Sequence, residues 1–399
     1  MLLCIPLKTT RRYDIGLPLA NWVDSTHPHY KSSDCRDDLL RLSSLRNCLS
    51  GSISTPHGHP AALSDRAAED LAEYHACLLA AERRGFPTLD DDLVGATQLK
   101  SSWNCAFGEE KPVTRSNLRY ERSCALFDVA ALHSFRASSE DHRNSKEGRS
   151  RALKRYGKAA ATLAHLRTEL MLGESADRNP SADLTEPCLL MFECSMKAQG
   201  QLGFYEAAAA RPEPMHALLA KLATGAADLY GEALKHSQDL VLRARVPVAS
   251  SGWGAHLKTM SMLFRARAER HEAEACRLRQ EYGLEITRLR NASFMCDEAA
   301  KFQKEAEATN PGSAGGVVWI LEGGMGLASH EIDWLRRMVR QRRELAERDN
   351  DTVYSDKVPD ISDLPSIPGQ SMMTTLPPLD EELEPSMLQR PIFVGLAKV

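Results

Sequence analysis

Cys35 and Arg41 stand at the C-x5-R spacing with which a thiolate attacks a phosphate ester while an arginine holds its oxygens. The residues between them include Asp37 and Asp38, where a phosphate loop needs free backbone amides and positive potential. The spacing therefore does not read as a phosphatase. His271 and Glu272 open the H-E-x-x-H pattern of zinc proteases, but Ala275 occupies the place of the second imidazole and leaves the metal without its ligand set. His57 and His59 lie in a loop rich in Pro and Gly, where they read as solvated. The glycines of GSAGGVVWILEGGMG at 312–326 are followed by no G-K-[ST], so they read as loop glycines and not as a phosphate cradle. Asn291-Ala292-Ser293 is a glycosylation triplet inside a helical pattern and carries no functional weight in a cytosolic chain. The ten cysteines include no C-x-x-C pair, which is the usage of reduced, buried thiols. No catalytic residue, metal ligand or cofactor-binding residue is assembled, and the chain reads as a binding protein, not an enzyme.

The elements that must position any binding surface are mostly helices. Residues 2–8 read as a short strand, and Asp14 or Asn21 can open the first helix. Leu39, Leu40, Leu42, Leu45 and Leu49 fall at helical spacing over 36–49. A breaker-rich loop over 50–64 precedes a second amphipathic helix, from Ser64 and Ala67 to Leu79. Beyond residue 116, apolar stripes predict helices near 116–138, 146–172, 184–208, 214–240, 253–282, 284–308 and 327–350. In 253–282, Leu257, Met260, Leu263 and Phe264 form the buried side, with Arg265, Arg267, Glu269 and Arg270 opposite. Long helices joined by short turns bury their faces by stacking on sequence neighbours, although no clean 34-residue repeat is present. After Tyr354, seven prolines from Pro359 to Pro391 forbid a long helix. That tail is expected to be extended and docked on the helices.

Bulk properties agree with this outline. The chain of 399 residues is 43% hydrophobic and 26% charged, with 50 basic and 54 acidic side chains and a formal net charge of −4. That is enough apolar surface for a core and too balanced for wholesale binding of nucleic acid or membrane through charge. No apolar run approaches the roughly 18–20 residues of a membrane span. The N-terminus has only a short apolar run before Lys8, Arg11 and Arg12, the wrong order for a signal peptide. A cytoplasmic or peripherally recruited protein is expected.

Six segments appear in family order: IPLKTTRRYDIGLPLANWV at 5–23, SNLRYERSCALFDVAALHSF at 116–135, EGRSRALKRYGKAAATLAHLRTEL at 147–170, ALLAKLATGAADLYGEALK at 217–235, YGLEITRLRNA at 282–292 and ERDNDTVYSDKVPDISDL at 347–364. RPIFVGL at 390–396 resembles the family's closing segment. Together they resemble the Bro domain family of the Alix and fungal PalA type over nearly the whole chain. The resemblance implies a mainly α, elongated, boomerang-shaped solenoid like a tetratricopeptide array. It also implies a small β layer near the N-terminus and an extended proline-rich tail packed on the helices, with residues 1–365 as the Bro domain and 366–399 as the C-terminal segment.

The implied role is a non-catalytic adaptor. It would bind the C-terminal amphipathic helix of the main ESCRT-III filament subunit, the Snf-seven class, on a concave face, with peripheral recruitment to endosomes for sorting or ambient-pH signalling. Leu218 and Leu222 match the family's two groove-lining positions, one helical turn apart on one face, and Leu202 is assigned to the same groove. Met215, Leu219, Ala226 and Leu229 stripe the same helix as core. Several positions depart from the family. Lys146 and Ser150 stand where the family's groove rim often carries an acidic residue and a lysine, the Q-A-Q-E helix reads KAQG ending at Gly200, and AAAA at 207–210 resembles an insertion. Tyr354 lies in a segment that harbours a phosphorylatable tyrosine in Alix-type proteins, and it reads foremost as an aromatic anchor for the tail. A Rho-pathway scaffold of rhophilin type is the alternative reading. No nucleic-acid or small-molecule partner is implied.

Overall fold

The computed structural model describes residues 3–52, 65–88, 99–141, 145–171, 180–309, 324–377, 379 and 381–396. The loop carrying His57 and His59, and most of the glycine-rich stretch at 312–323, lie outside these residues. Three helices come first: α1 (Gly16–Thr26), α2 (Arg36–Ser52) and α3 (Asp65–Arg83). A short antiparallel hairpin follows, β1 (Ser101–Trp103) with β2 (Val113–Arg115), in register Ser101 to Arg115 and Trp103 to Val113. The remaining helices are α4 (Leu118–Ser138), α5 (Lys146–Met171), α6 (Glu186–Ala209), α7 (His216–Ser237), α8 (Leu240–Arg245), α9 (Pro247–Leu278), α10 (Tyr282–Thr309) and α11 (Gly324–Asp349). The protein is thus mainly helical. Gly324 and Gly326, expected in a loop, open α11 instead.

Local chemistry sets several of these boundaries. Asn117 caps α4 by accepting from the Tyr120 amide at 2.7 Å, and Asp239 caps α8 by accepting from the Val241 and Leu242 amides. Pro247 begins α9, where its missing N–H costs nothing. From α4 onward the helices pack in sequence order: α4 on α5, α5 on α6, α6 on α7, α7 on α9, α9 on α10 and α10 on α11. Each buries an apolar stripe against its neighbours. In α9, Leu257, Met260, Leu263 and Phe264 are all buried, as their spacing predicts. Glu269, expected on the solvent side, is buried too. Its carboxylate accepts from Arg288 and Asn291 of α10, each at 2.9 Å, which ties up the asparagine of the glycosylation triplet.

The strand expected at 2–8 does not form as one. Residues 4–9 form no regular secondary structure, and buried amides of the segment from Leu3 on are met by helix side chains. The Ile5 amide donates to Ser134 Oγ (2.8 Å) and the Lys8 amide to Asp128 Oδ1 (2.7 Å), while the Leu3 amide donates to Gln199 Oε1 (2.6 Å). Leu3 and Thr10 are both bridge residues, Thr10 antiparallel to Trp103. A buried backbone must find partners, and here α4 and α6 supply them.

Glu121 of α4 is the hub of the N-terminal half. It accepts from the Tyr74 hydroxyl and the Trp103 indole, each at 2.7 Å, and pairs with Arg46. The cluster joins α2, α3, β1 and α4. Arg46 also reaches Thr10 Oγ1 and the Arg11 carbonyl, so every buried charge in it is paired, as burial requires.

The tail after Asp349 runs against the helices. A π-type turn (Asn350–Tyr354) closes α11, with Ser355 at φ +53°. Thr287 Oγ1 then donates to the Pro359 carbonyl, and Arg288 Nη2 donates to that of Pro365. Further on, the Phe393 amide donates to Asp38 Oδ2 at 2.7 Å, and the Phe393 ring packs on Phe86.

Candidate functional site

The segments most open to chemistry are closed to it by their surroundings. Cys35 is buried beside the first turn of α2, and burial pushes its thiol up to about 11, with Asp38, Asp34 and Asp24 acting in the same direction. A thiol held protonated is not a nucleophile, and Arg41 is engaged with Glu73 at 2.6 Å. His271 sits within α9, with its Nε2 2.9 Å from the Tyr205 hydroxyl and its Nδ1 3.1 Å from Nδ1 of His216. Burial, with Arg270, His216 and Arg267 adding to it, lowers His271 to about 3. It is therefore a neutral ring that joins α6, α7 and α9. Among the described residues, no group of three or more His, Cys, Asp or Glu side chains could hold a metal ion.

The three leucines that the family resemblance assigns to a groove lie on α6 and α7. Leu218 is half-buried on α7 and packs against the core from its edge. Leu222, one turn on, is buried at 4% exposure, and Leu202 of α6 is buried at 7%. Of the three, only Leu218 offers appreciable surface, so Leu222 and Leu202 could serve only as a floor beneath it. Lys146 and Ser150 are exposed at the start of α5.

The sequence predicts a docked tail but not its seat, which begins at Lys221 and Gly225 of α7, just beyond Leu218 in the chain. Gln201, wholly buried in α6, is the clamp. Its Nε2 donates to the carbonyls of Leu222 (3.1 Å) and Gln370 (2.8 Å), and its Oε1 accepts from the Met372 amide (2.8 Å). The Gln370 amide donates to the Lys221 carbonyl at 2.9 Å. Glycines make the close approach possible. A Cβ on Gly225 would stand 2.4 Å from the Gln370 carbonyl oxygen, and one on Gly200 would stand 2.8 Å from the Met373 methyl. The only signal for this in the sequence was two glycines in mid-helix, where they weaken a helix without apparent return. KAQG thus marks a seat for the tail inside α6.

Tyr354 stacks face to face on Tyr282 of α10, with centroids 3.6 Å apart and planes 12° apart, and keeps 43% of its surface exposed. The geometry is that of an anchor whose outer face stays accessible. Elsewhere, a depression of about 470 Å³ opens between α6, α9 and α11, lined by Tyr205, Arg267, Arg270, His330, Glu331 and Trp334. Within it, Arg267 pairs with Glu331 at 2.8 Å, and the Arg270 guanidinium lies over the Trp334 ring. No helix among the described residues is long and apolar enough to cross a membrane.

A family model described as the BRO1-like domain matches residues 2–397. The chain is 26% identical over 377 residues to the Programmed cell death 6-interacting protein of Xenopus laevis, covering 94% of this chain and 39% of that protein. It is 27% identical over 379 residues to the pH-response regulator protein palA/RIM20 of Emericella nidulans, again covering 94% and 39%. The chain thus spans about two fifths of the length of these curated relatives. Among solved structures, one titled "ALIX BRO1 CHMP4C complex" superposes with a TM-score of 0.73 at 24% identity, covering 96% of this chain and 97% of that one.

Proposed function

Because the chain belongs to the BRO1-like domain family, we propose that it is a non-catalytic adaptor whose α6–α7 face docks the C-terminal amphipathic helix of an ESCRT-III filament subunit. What carries the reading is Leu218, an apolar side chain left half-buried on α7 at the position the family resemblance assigns to the groove. In support, a structure of the same fold is titled as a complex with CHMP4C.

A helix docks in a groove by laying its apolar face, read at i, i+3 and i+4, over side chains left uncovered in the receptor. Leu218 supplies that contact. Leu222 and Leu202 shape the floor, and exposed Lys221, Lys146 and Ser150 stand as candidate rim groups. The body over 1–365 and the segment 366–399 act as one unit in this proposal, since the tail's backbone borders the groove at Lys221. Tyr354 serves foremost to anchor the tail, through its stack on Tyr282. The adaptor works in the cytoplasm and reaches endosomal membranes peripherally through its ESCRT-III partner, in endosomal sorting or in ambient-pH signalling, with no cofactor, nucleic acid or small-molecule substrate. No observation favours the Rho-scaffold alternative.

Leu218→Asp tests the site. Leu222→Asp would bury a carboxylate and damage the fold, whereas Asp at Leu218 keeps water on one side. Burying a leucine contributes about 1.5–3 kcal/mol, and a charge left in the interface costs more. The affinity for an ESCRT-III C-terminal peptide, followed by fluorescence anisotropy, should therefore fall at least about 10- to 100-fold, while the far-UV circular dichroism stays helical. Unchanged affinity in a folded variant would remove the site.

A further inference from the structure

We infer that α11 is a self-association surface, on which two copies of this chain pair antiparallel through the exposed seam of Trp334, Met338, Gln341 and Leu345. This goes beyond the proposed docking of an ESCRT-III helix and uses a different face.

The seam comes from two apolar stripes on one helix. Ile332, Leu335, Val339 and Ala346 are buried and hold α11 to the body. A second set, apolar except for Gln341, recurs with 4, 3 and 4 spacing at 334, 338, 341 and 345, the a and d positions of a coiled-coil seam. Trp334, Met338 and Leu345 keep 47%, 37% and 43% of their surface exposed, and Gln341 is exposed as well. At 1.5 Å per residue the seam is about 17 Å long. α11 is the last long helix of the stack, with α10 as its main neighbour, so its outer flank has no further helix of this chain against it among the described residues.

Charge decides what covers the seam. Arg336, Arg342 and Arg343 are engaged within the molecule, with Asp297, Glu285 and Glu347 respectively. Arg337 and Glu344 are exposed and have no ion-pair partner among the described residues. Both occupy the g position that flanks the seam. In an antiparallel pair, g faces g of the other helix. A two-fold axis midway between residues 340 and 341 sets Arg337 opposite the second copy's Glu344, and by symmetry Glu344 opposite the second copy's Arg337. The same axis interleaves the apolar side chains. A parallel pair would instead set Arg337 against Arg342 and Glu344 against Asp349, like charge on like in both cases. The surface is self-complementary in one orientation only, the condition for a closed two-fold contact. A seam of two heptads buries little area, so the dimer is a weak, concentration-dependent one.

Sedimentation equilibrium of the full chain, taken to about 1 mM, reads the proposal. The wild type should move from monomer to dimer. Arg337→Glu and Glu344→Arg should each shift the dissociation constant at least about tenfold weaker. The double variant carrying both restores opposite charges across the axis and should return to the wild-type value, a rescue that a merely structural role would not give. Met338→Asp should be monomeric with an unchanged helical spectrum. A wild type that stays monomeric throughout overturns the inference, as does a double variant no better than the singles. So does a monomer that sediments with phosphatidylserine vesicles through Met338, which would make the seam a lipid contact.

Discussion

Replacing Lys8 with methionine is expected to lower the free energy of unfolding by about 3–5 kcal/mol, because it strands a buried carboxylate. Lys8 and Asp183 are both fully buried. The ammonium donates to both Asp183 oxygens, at 2.7 and 2.6 Å, and to Ser181 Oγ at 3.1 Å. Asp183 accepts in addition from the Ala106 amide at 2.6 Å, so the N-terminal segment, the loop after β1 and the entry to α6 meet at one carboxylate. Burial by itself would lower the Lys8 pKa, but Asp183 more than offsets it and raises the group above the ordinary lysine range. A raised pKa places this stabilisation fully at and below neutral pH, and it is lost only in strong alkali. Urea unfolding at pH 7 measures the change. Replacing both residues together, Lys8→Met with Asp183→Leu, should cost less than Lys8→Met alone, since no charge is then left unpaired. A single-variant loss below about 1 kcal/mol would contradict the pair's importance.

Gly225→Ala should separate the tail from the body. The added Cβ would stand 2.4 Å from the Gln370 carbonyl oxygen and 3.1 Å from the Ser371 amide nitrogen. Those are backbone atoms, so the tail must lift. Lifting breaks the contacts of Gln370 with Lys221 and Gln201, and that of Met372 with Gln201. At about 0.5–1.5 kcal/mol for each bond, the docked tail loses roughly 2–4 kcal/mol, an increase in its open fraction of about 30- to 1000-fold. Alanine meanwhile favours the interior of α7 by up to about 1 kcal/mol. The body should therefore unfold no earlier than in the wild type while subtilisin cuts the chain between 366 and 377 much faster. A tail still protected at the wild-type rate would contradict the close approach.

Most of the helical framework was legible because an apolar stripe records which face is buried, as in Leu257, Met260, Leu263 and Phe264 of α9. What escaped was long-range pairing of polar groups. Glu269 looks like a surface residue until Arg288 and Asn291 arrive from α10, 19 and 22 positions later in the chain. Residues 2–8 carry strand-like composition, yet the amides of Leu3, Ile5 and Lys8 go to side chains of α4 and α6, and composition cannot announce a partner up to 196 residues away. Spacing placed Leu218 and Leu222 on one side of α7, but not how deeply each sits. That depends on α6 and on the tail fastened by Gln201, whose clamp on Gln370 spans 169 positions. Gly200 and Gly225 were the visible trace of that arrangement, without the identity of what they admit.

Amide hydrogen exchange across the chain, with and without a saturating ESCRT-III C-terminal peptide, tests the docking face most directly. Slowed exchange concentrated over 216–230 and the adjoining tail at 369–373, with α11 unaffected, is the predicted outcome. No change over 216–230 at saturation, or protection appearing only on another face, would contradict the assignment of α6 and α7 as the surface that receives the partner's helix.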